Sequence, residues 1–375
     1  MNPRIILVIF GTFLVLMISL FTAHIYIYGL NTGNHASKSI WVAAFFIPIL
    51  YIGSLIGTRN ANKIGKTFYR IINIIAGIVF YLFLGALVLG IISIVYAIKN
   101  VLLPVSLPIA ILSLSLLAAL IAFAQAKYIR VKRYTVTLPG APASWEGKTA
   151  AMISDTHFGL INHKKFADKV VHKILSLSPD FVLHAGDFYD GPMVDTVPIT
   201  ESWKKLTAQV PLFYTPGNHE AYGDYNVFIE SVRAAGAVVL DDKVVDYDGV
   251  NIAGTLYHTG RESKDVGEVL KNLITTDASN TSGRFVKPTI LINHPPTAFK
   301  APHEHGVNLI VSGHTHQGQT WPFRYITHKV YGAYDYGMAT YKSLTSITSN
   351  GIGTYGPPIR LFNSPEVVII RFKTS

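Results

Sequence analysis

The sequence predicts an α/β domain that follows an apolar, membrane-spanning region of four helices. Two observations carry this prediction. Four long apolar segments fill most of residues 4–126, and each has about the 17–25 residues that cross a hydrocarbon core as a helix. Beyond them, short apolar runs alternate with helical patterns, as in domains that combine parallel strands with crossover helices.

The predicted membrane region covers residues 1–130. Its four apolar segments contain no Asp, Glu, Lys or Arg, and the Gly and Pro residues within them are tolerated in membrane helices. The predicted spans are residues 5–30, 40–57, 71–98 and 107–126. A cleaved signal peptide is the alternative for the first segment, but this segment is long and further apolar segments follow it.

Charge is distributed unevenly along the chain. Residues 1–133 carry 11 of the 32 Lys and Arg and none of the 22 Asp and Glu, so the remaining residues carry 21 basic and 22 acidic side chains. The formal net charge of +10 therefore belongs to the apolar region. A nucleic-acid-binding surface needs a basic stripe on the soluble domain, so no nucleic-acid partner is expected.

The basic residues also predict how the chain is oriented. One side of the membrane would carry nine of them: Arg4, Arg59, Lys63, Lys66, Arg70, Lys127, Arg130, Lys132 and Arg133. The other side would carry only Lys38 and Lys99. Because positive residues stay in the cytoplasm, we expect a multi-pass protein of the cell membrane with a cytoplasmic catalytic domain. The lipid bilayer is then its first partner.

The soluble part divides at a stretch rich in Pro and Gly, residues 139–147. Residues 131–147 are predicted as a first strand and a linker, and residues 148–375 as the C-terminal domain. Helices are predicted at residues 164–177, 225–235 and 264–274, with a helix end at 203–209. Further strands are predicted at residues 149–154, 181–185, 212–215, 237–240, 244–247, 251–254, 289–292, 309–311 and 367–372.

Potential metal ligands directly follow five of these predicted strands. They are Asp155 and His157, Asp187, Asn218 and His219, His294, and His314 and His316. Ligands of open α/β sheets bind outside the carboxyl ends of the strands, so we expect these side chains to converge. The chain has no cysteine, which excludes thiolate sites and leaves His, Asp, Glu and Asn to hold a metal.

These residues are sufficient for two divalent ions. One ion would be held by the first set: Asp155, His157, Asp187 and His316. The second ion would be held by a set that shares one carboxylate with the first: Asp187, Asn218, His294 and His314. Such ligands suit Mn, Fe, Zn or Co, and the sequence does not choose among them. Two ions about 3.5–4 Å apart with a bridging water suit in-line displacement at phosphorus.

A further histidine is the candidate catalytic acid. His219 follows a predicted ligand and would point past the ions, where it could protonate the leaving oxygen; a purely structural role is the alternative. Asp190 and Glu220 could each orient a ligand or be solvated loop carboxylates. The sequence assigns no role to His258, and Arg261 could face either a substrate phosphate or solvent.

Together these motifs resemble the five-block signature of the calcineurin-like metallophosphoesterase superfamily. The blocks are Asp155-Thr-His157, Gly186-Asp187, Gly217-Asn-His-Glu220, His294 and Gly313-His-Thr-His316. The resemblance covers residues 145–373 and implies a four-layer α/β/β/α sandwich with a dimetal site at one edge. The tail, with Pro357-Pro-Ile-Arg360 and Pro365-Glu366, resembles the membrane-associated bacterial branch of YkuE- and YaeI-like phosphodiesterases.

The expected function is that of a membrane-anchored dimetal phosphohydrolase. It would cleave a phosphodiester or a pyrophosphate by attack of a hydroxide that bridges the metals, with His219 as the general acid. The anchor favours a lipid-linked substrate, because tethering raises its local concentration. Two alternatives stay open: an enzyme acting on soluble nucleotides or phosphoproteins, and a non-catalytic membrane scaffold with a vestigial site. The complete set of ligands argues against the scaffold.

Overall fold

The computed structural model describes residues 3–31, 33–57, 63–190, 194–257, 265–275 and 282–374. The chain forms two compact units. The first comprises Met1–Ala124 and Gly356–Ile359, and the second comprises Gln125–Tyr355 and Arg360–Ser375. His258 and Arg261, whose roles the sequence left open, lie outside the described residues.

Helices occupy the apolar region. They are α1 (Pro3–Leu30), α2 (Asn34–Gly57), α3 (Lys63–Ile98) and α4 (Ser106–Gln125). Three stretches within them are long and apolar enough to cross a membrane: His35–Ser54, Lys63–Ile98 and Ser106–Gln125. Within the part of α1 whose side chains the structure describes, the apolar stretch is Leu16–Leu30. Length and composition thus support three spans, and the fourth span, in α1, stays a prediction.

The second unit contains two sheets, each with six strands among the described residues. The first sheet consists of β1 (Arg130–Thr137), β2 (Thr149–Ile153), β3 (Phe181–Ala185), β4 (Leu212–Thr215), β5 (Val238–Val239) and β12 (Glu366–Lys373). The second consists of β6 (Lys243–Tyr247), β7 (Val250–Thr255), β8 (Thr289–Asn293), β9 (Leu309–Ser312), β10 (Gly337–Tyr341) and β11 (Leu344–Thr348). Their orders are β1-β12-β2-β3-β4-β5 and β10-β11-β9-β8-β7-β6. Strands β2 to β5 are parallel, as are β7, β8 and β9.

The helices of the second unit follow the apolar periodicity of the sequence. They are α5 (Lys164–Leu175), α6 (Val197–Thr207), α7 (Asn218–Tyr222), α8 (Tyr225–Ala234), α9 (Val266–Thr275), α10 (Lys300–Glu304) and α11 (Arg324–Tyr331). Helix α5 is an example of this periodicity. Its buried residues are Ala167, Val170, Val171 and Ile174. This spacing places them on one face of a helix. Helix α6 begins six residues before the predicted helix end at Trp203.

Strand alternation separates three apolar clusters. Leu183 of β3 and Ile292 of β8 belong to one cluster, which takes residues from both sheets. Val182, the neighbour of Leu183, belongs instead to a cluster with residues of α5, α6 and α8. Leu291 likewise packs with residues of α9. Because successive side chains of a strand point to opposite faces, each sheet is buried on both sides, and its central strands β3, β4, β8 and β9 are buried throughout.

The carboxyl ends of β2, β3, β8 and β9 meet at one edge of the second unit. The Asp155 amide donates a hydrogen bond to Gly186 O (2.9 Å), and the Gly313 amide donates to His294 O (2.9 Å). The two sheets are joined there, since His294 Nδ1 donates to Ala185 O at 2.7 Å. The loops that carry the predicted ligands therefore share one small volume.

Candidate metal centre

The first group of predicted ligands converges after β2 and β9. Nε2 of His316 lies 2.9 Å from Nε2 of His157 and 3.3 Å from Oδ1 of Asp155. Asp155 is fully buried and accepts hydrogen bonds from the His314 amide at 3.1 Å. One ligand atom from each of Asp155, His157 and His316 lies within 4.8 Å of the others, a spacing that could hold an ion.

The second group converges after β3, β4, β8 and β9. Nε2 of His294 lies 3.2 Å from Oδ2 of Asp187 and 3.1 Å from Oδ1 of Asn218. Nδ1 of His314 lies 2.9 Å from the same Asn218 oxygen. Asp187, His294 and His314 again offer ligand atoms within 4.8 Å of one another. The structure thus brings all seven predicted ligands together, and we call their side chains the ligand cluster.

Asp187 lies between the two groups. Its Oδ2 is 3.2 Å from Nε2 of His294 and 3.9 Å from Nε2 of His157. Its Oδ1 accepts a hydrogen bond from the His219 amide at 2.9 Å, which fixes the carboxylate plane. A single carboxylate thus reaches both groups, the position that the shared ligand of a metal pair needs.

The ligand cluster fits a pair of divalent cations. Atoms bound to one ion at about 2.1 Å lie roughly 3–3.5 Å apart, close to the 2.9–3.3 Å that separates neighbouring donor atoms here. Two neutral imidazole nitrogens at 2.9 Å repel unless a cation or a proton lies between them. Among the described side chains, neither Asp155 nor Asp187 forms an ion pair with Lys or Arg.

The electrostatics of the cluster favour the binding forms of Asp155 and His157 but the protonated form of His294. Burial raises the pKa of Asp155, but His316, together with His294 and His157, outweighs burial and holds the pKa well below its usual range. Burial, reinforced by His316, lowers the pKa of His157 to about 3. For His294, burial lowers the pKa but the Asp187 charge raises it to about 9. Metal binding at His294 therefore requires release of a proton.

Several ligand residues have left-handed backbone conformations. Asp155 (φ 53°), His157 (φ 45°), Asp187 (φ 55°), His314 (φ 72°) and His316 (φ 48°) all have positive φ. For residues other than glycine such values are uncommon and concentrate at functional sites. The tight turns after the strands thus aim successive side chains at the cluster.

His219 stands beside the cluster and is held by a carboxylate. Its Nδ1 donates to Oδ1 of Asp190 at 2.9 Å, and its Nε2 lies 4.0 Å from Oδ2 of Asp187. Burial lowers the pKa of His219, but the Asp190 hydrogen bond and the charge of Asp187 raise it to about 9. The imidazolium can therefore donate a proton from Nε2. The structure pairs Asp190, whose role the sequence left open, with this histidine.

Glu220 is a buried clamp between two ligand loops. Its Oε1 accepts hydrogen bonds from the amides of Phe188 (2.8 Å) and Tyr189 (3.0 Å). Its Oε2 accepts from the amides of Gly217 (2.7 Å) and Asp187 (3.2 Å). Burial, with the Asp187 charge, raises the pKa of Glu220. Of the two roles left open by the sequence, the structure supports the orienting one.

Replacing Glu220 with glutamine is expected to loosen these loops. The new amide group would face two backbone N–H groups that it cannot accept from, so we expect a loss of about 2 kcal/mol in the free energy of unfolding. The measurement is the thermal unfolding midpoint of the detergent-solubilised chain. The control is Glu230→Gln, which removes an exposed pair with Arg233 and should change little. Equal midpoints for the two variants would contradict the clamp.

Gly217 leaves room for the shared carboxylate. A Cβ atom at this position would collide with Oδ1 and the amide nitrogen of Asp187. We therefore expect Gly217→Ala to displace Asp187 and reduce the metal content of the purified chain, measured by elemental analysis. Gly53→Ala is the matched control, because a Cβ atom there meets no atom within 4 Å. Full metal content in Gly217→Ala would show that the loop can shift to accommodate the added methyl group, and would contradict this prediction.

Arg360 is a buried residue for which no site role was predicted. Its Nη2 lies 3.0 Å from Nδ1 of His316, and its Nη1 donates to Asn350 O at 2.8 Å. The guanidinium also donates from Nε to Gly353 O at 3.2 Å. Arg360 thus supports the ring of a predicted ligand from behind. The signal available in the sequence was its place in the tail motif.

The comparisons with known proteins agree with this site. Residues 149–318 match the family model described as calcineurin-like phosphoesterase. The chain is 30% identical over 256 residues to an uncharacterized metallophosphoesterase of Aquifex aeolicus (strain VF5), covering 66% of this chain and 92% of that one. It is 29% identical over 223 residues to an uncharacterized metallophosphoesterase of Helicobacter pylori (strain J99), covering 59% of this chain and 58% of that one.

A third relative carries a membrane region in its name. It is a transmembrane protein with metallophosphoesterase domain from Danio rerio, 24% identical over 243 residues, which cover 62% of this chain and 54% of the relative. This chain therefore spans little more than half the length of several curated relatives that it matches. With its apolar helices, this relationship indicates association with a membrane.

The fold and the site are those of a metallophosphoesterase domain. More particularly, the chain belongs to the calcineurin-like metallophosphoesterase family.

Proposed function

We propose that the chain is a membrane-anchored dimetal phosphohydrolase that cleaves a phosphodiester or a pyrophosphate in a lipid-linked substrate. The observation that carries the proposal is the ligand cluster, in which two groups of donor atoms adjoin one shared carboxylate, Asp187. Asp155, His157, Asp187 and His316 would hold one ion, and Asp187, Asn218, His294 and His314 the other. The proposed ions are Mn, Fe, Zn or Co.

The metal ions and the residues around the cluster have different roles in the proposed reaction. Two divalent ions held by the ligand cluster would supply a water of lowered pKa and neutralise charge on the phosphoryl oxygens. His219 holds a proton at Nε2, on the side of the ring opposite its Asp190 hydrogen bond, and gives it to the leaving oxygen. Asp190 keeps the ring oriented during this transfer. Glu220 and Arg360 hold the ligand loops in place through backbone and ring contacts.

The membrane part of the proposal follows from the N-terminal half. We propose four spans, with α1 as the fourth, and a cytoplasmic second unit, because the basic residues cluster at the loops that would face the cytoplasm. A four-layer α/β/β/α order and membership of the membrane-associated bacterial branch belong to the same proposal. Each of two clusters joins one sheet to helices and a third joins the sheets, which supports the layer order.

The test uses the full chain reconstituted in nanodiscs made from a bacterial lipid extract. We expect about two ions per chain by elemental analysis and, after incubation with Mn²⁺, the loss of a phosphorylated lipid and the release of its headgroup. If the chain binds metal and hydrolyses soluble nucleotides or phosphopeptides but not lipid, its substrates are soluble. A chain without metal or turnover would be a scaffold.

A further inference from the structure

Helix α11 carries an exposed apolar face. It buries none of its residues, and Phe323, Ile326 and Val330 are 42%, 59% and 67% exposed. Their spacing of three and four residues places them along one side of the helix and its N-cap. Trp321 and Tyr325, 38% and 65% exposed, extend the apolar surface. We call the exposed side chains of these five residues the α11 surface.

The charge around this surface is basic. Arg324 and Lys329 lie on α11, and no Asp or Glu occurs from Trp321 to Tyr334. A helix with an apolar aromatic face and flanking Lys or Arg is typical of segments that lie in the headgroup region of a membrane. A neutral protein partner would not require this combination, whereas an anionic lipid surface attracts each basic side chain.

Hydrogen bonds within the second unit connect the α11 surface to Gln125, the first residue of that unit. The Phe362 amide donates to Oε1 of Gln125, the last residue of α4, at 2.8 Å, and the Trp321 amide donates to Leu361 O at 3.2 Å. Trp321 is therefore tied to the residue next to Phe362. Phe362 is itself 63% exposed, so it adds an apolar side chain beside Gln125.

A second tie runs through Arg130. This residue follows Gln125 by five positions, so it lies within about 18 Å of the end of α4 even along an extended chain. Arg130 Nη2 donates to the hydroxyl of Tyr336 at 2.6 Å, and Tyr336 lies five residues beyond the end of α11. Both ends of the α11 segment are thus connected to the chain just after a stretch that is apolar enough to span a membrane.

The α11 segment also borders the ligand cluster. The ring of Tyr331, the last residue of α11, lies 6.2 Å from the ring of His314. Oγ1 of Thr315, between the two histidines of the last motif, donates to Asp335 O at 2.6 Å. The C-terminal end of α11 therefore lies next to the cluster.

We propose that the α11 surface lies in the interface of an anionic lipid bilayer and delivers phosphorylated lipids to the ligand cluster. Phe323, Ile326 and Val330 enter the boundary between headgroups and acyl chains, and Arg324 and Lys329 contact lipid phosphates. The delivery step rests on the proposed function, because it presumes a lipid-linked substrate. The docking step concerns only the contact between α11 and lipid.

Site-specific labelling tests the docking step. The chain contains no cysteine, so Ile326→Cys, Val330→Cys and the control Val227→Cys each carry one environment-sensitive fluorophore. The full chain is reconstituted in nanodiscs, one chain each, made of phosphatidylcholine with or without phosphatidylglycerol. We expect blue-shifted emission at positions 326 and 330, larger with phosphatidylglycerol, and water-like emission at 227, which is 50% exposed.

Two results would overturn docking. Water-like emission at 326 and 330 in both lipids would place α11 in solvent. A blue shift in vesicles that vanishes when each nanodisc holds a single chain would assign the surface to a second copy of the chain.

Replacing apolar residues of α11 with aspartate tests the delivery step. Ile326→Asp with Val330→Asp is compared with the matched control Val227→Asp with Val286→Asp, whose valines are 50% and 79% exposed. On a phosphorylated lipid in vesicles we expect the first pair to lower the rate at least about tenfold and the control pair to leave it unchanged. Neither pair should alter hydrolysis of a water-soluble aryl phosphodiester. Equal rates of both pairs on lipid would contradict delivery.

Failure of this inference differs from failure of the proposed function. If the wild-type chain hydrolyses neither ester, the function is wrong, while the fluorescence still reports whether α11 touches lipid. If the wild-type chain hydrolyses lipid and the labels at 326 and 330 stay in water, the function stands and the docking surface is wrong.

Discussion

Replacing Asp187 with asparagine is expected to lower phosphodiester hydrolysis by about a thousandfold or more. The Asp187 carboxylate reaches both groups of the ligand cluster, at 3.2 Å from His294 and 3.9 Å from His157. An amide has no negative charge to share between two cations, so the variant should also bind fewer ions. The measurements are the rate on a chromogenic aryl phosphodiester with added Mn²⁺ and the metal content by elemental analysis.

The matched control is Asp195→Asn, because this carboxylate is exposed. It removes the same charge from the surface of the second unit and should leave both rate and metal content unchanged. Wild-type activity in Asp187→Asn would show that hydrolysis does not depend on the cluster, and the proposed function would then be wrong.

Replacing His219 with glutamine is expected to slow hydrolysis by about 10²–10⁴-fold when the leaving group is an alkoxide. The effect should be much smaller with a nitrophenyl ester, because a good leaving group departs without a proton. This contrast follows from the geometry, in which Nδ1 is bonded to Asp190 and Nε2 is left to serve the leaving oxygen. Rates on two esters that differ only in leaving group provide the measurement.

The metal content of the His219 variant decides between two roles. His157, Asp187 and His219 also lie close enough to hold an ion together. If His219 is the acid, the variant keeps its metal; if it is a ligand, the variant loses metal and both esters slow equally. The control His172→Gln changes an exposed histidine of α5 and should affect neither measurement.

The sequence predicted the strands well where they are continuous apolar runs. β3 and β4 coincide with their predicted bounds, Phe181–Ala185 and Leu212–Thr215. The short strand predicted at residues 237–240 is smaller, with only Val238–Val239 paired. Strands β10 and β11 were not predicted, because residues 337–348 alternate weakly. Helix α11 was missed as well, since its apolar residues face outward and resemble no core pattern.

The sequence predicts which residues belong to the site better than it predicts what those residues contact. A histidine, carboxylate or asparagine that directly follows a buried strand can be read from sequence, and the seven predicted ligands meet in the ligand cluster. Their action as metal ligands stays a prediction. The roles of Glu220 and Arg360 could not be predicted in this way, because nothing local indicates that a loop carboxylate or a tail guanidinium becomes fully buried.

The left-handed backbone at five ligand residues has a consequence for how the protein persists in a cell. Each such residue raises the free energy of the folded state by about 1–2 kcal/mol. The unfolded chain does not hold the metal-binding side chains together. Cations that bind only the folded state shift the folding equilibrium toward it as the cation concentration rises. Scarcity of such ions should therefore shorten the lifetime of the protein against cellular proteases as well as silence it.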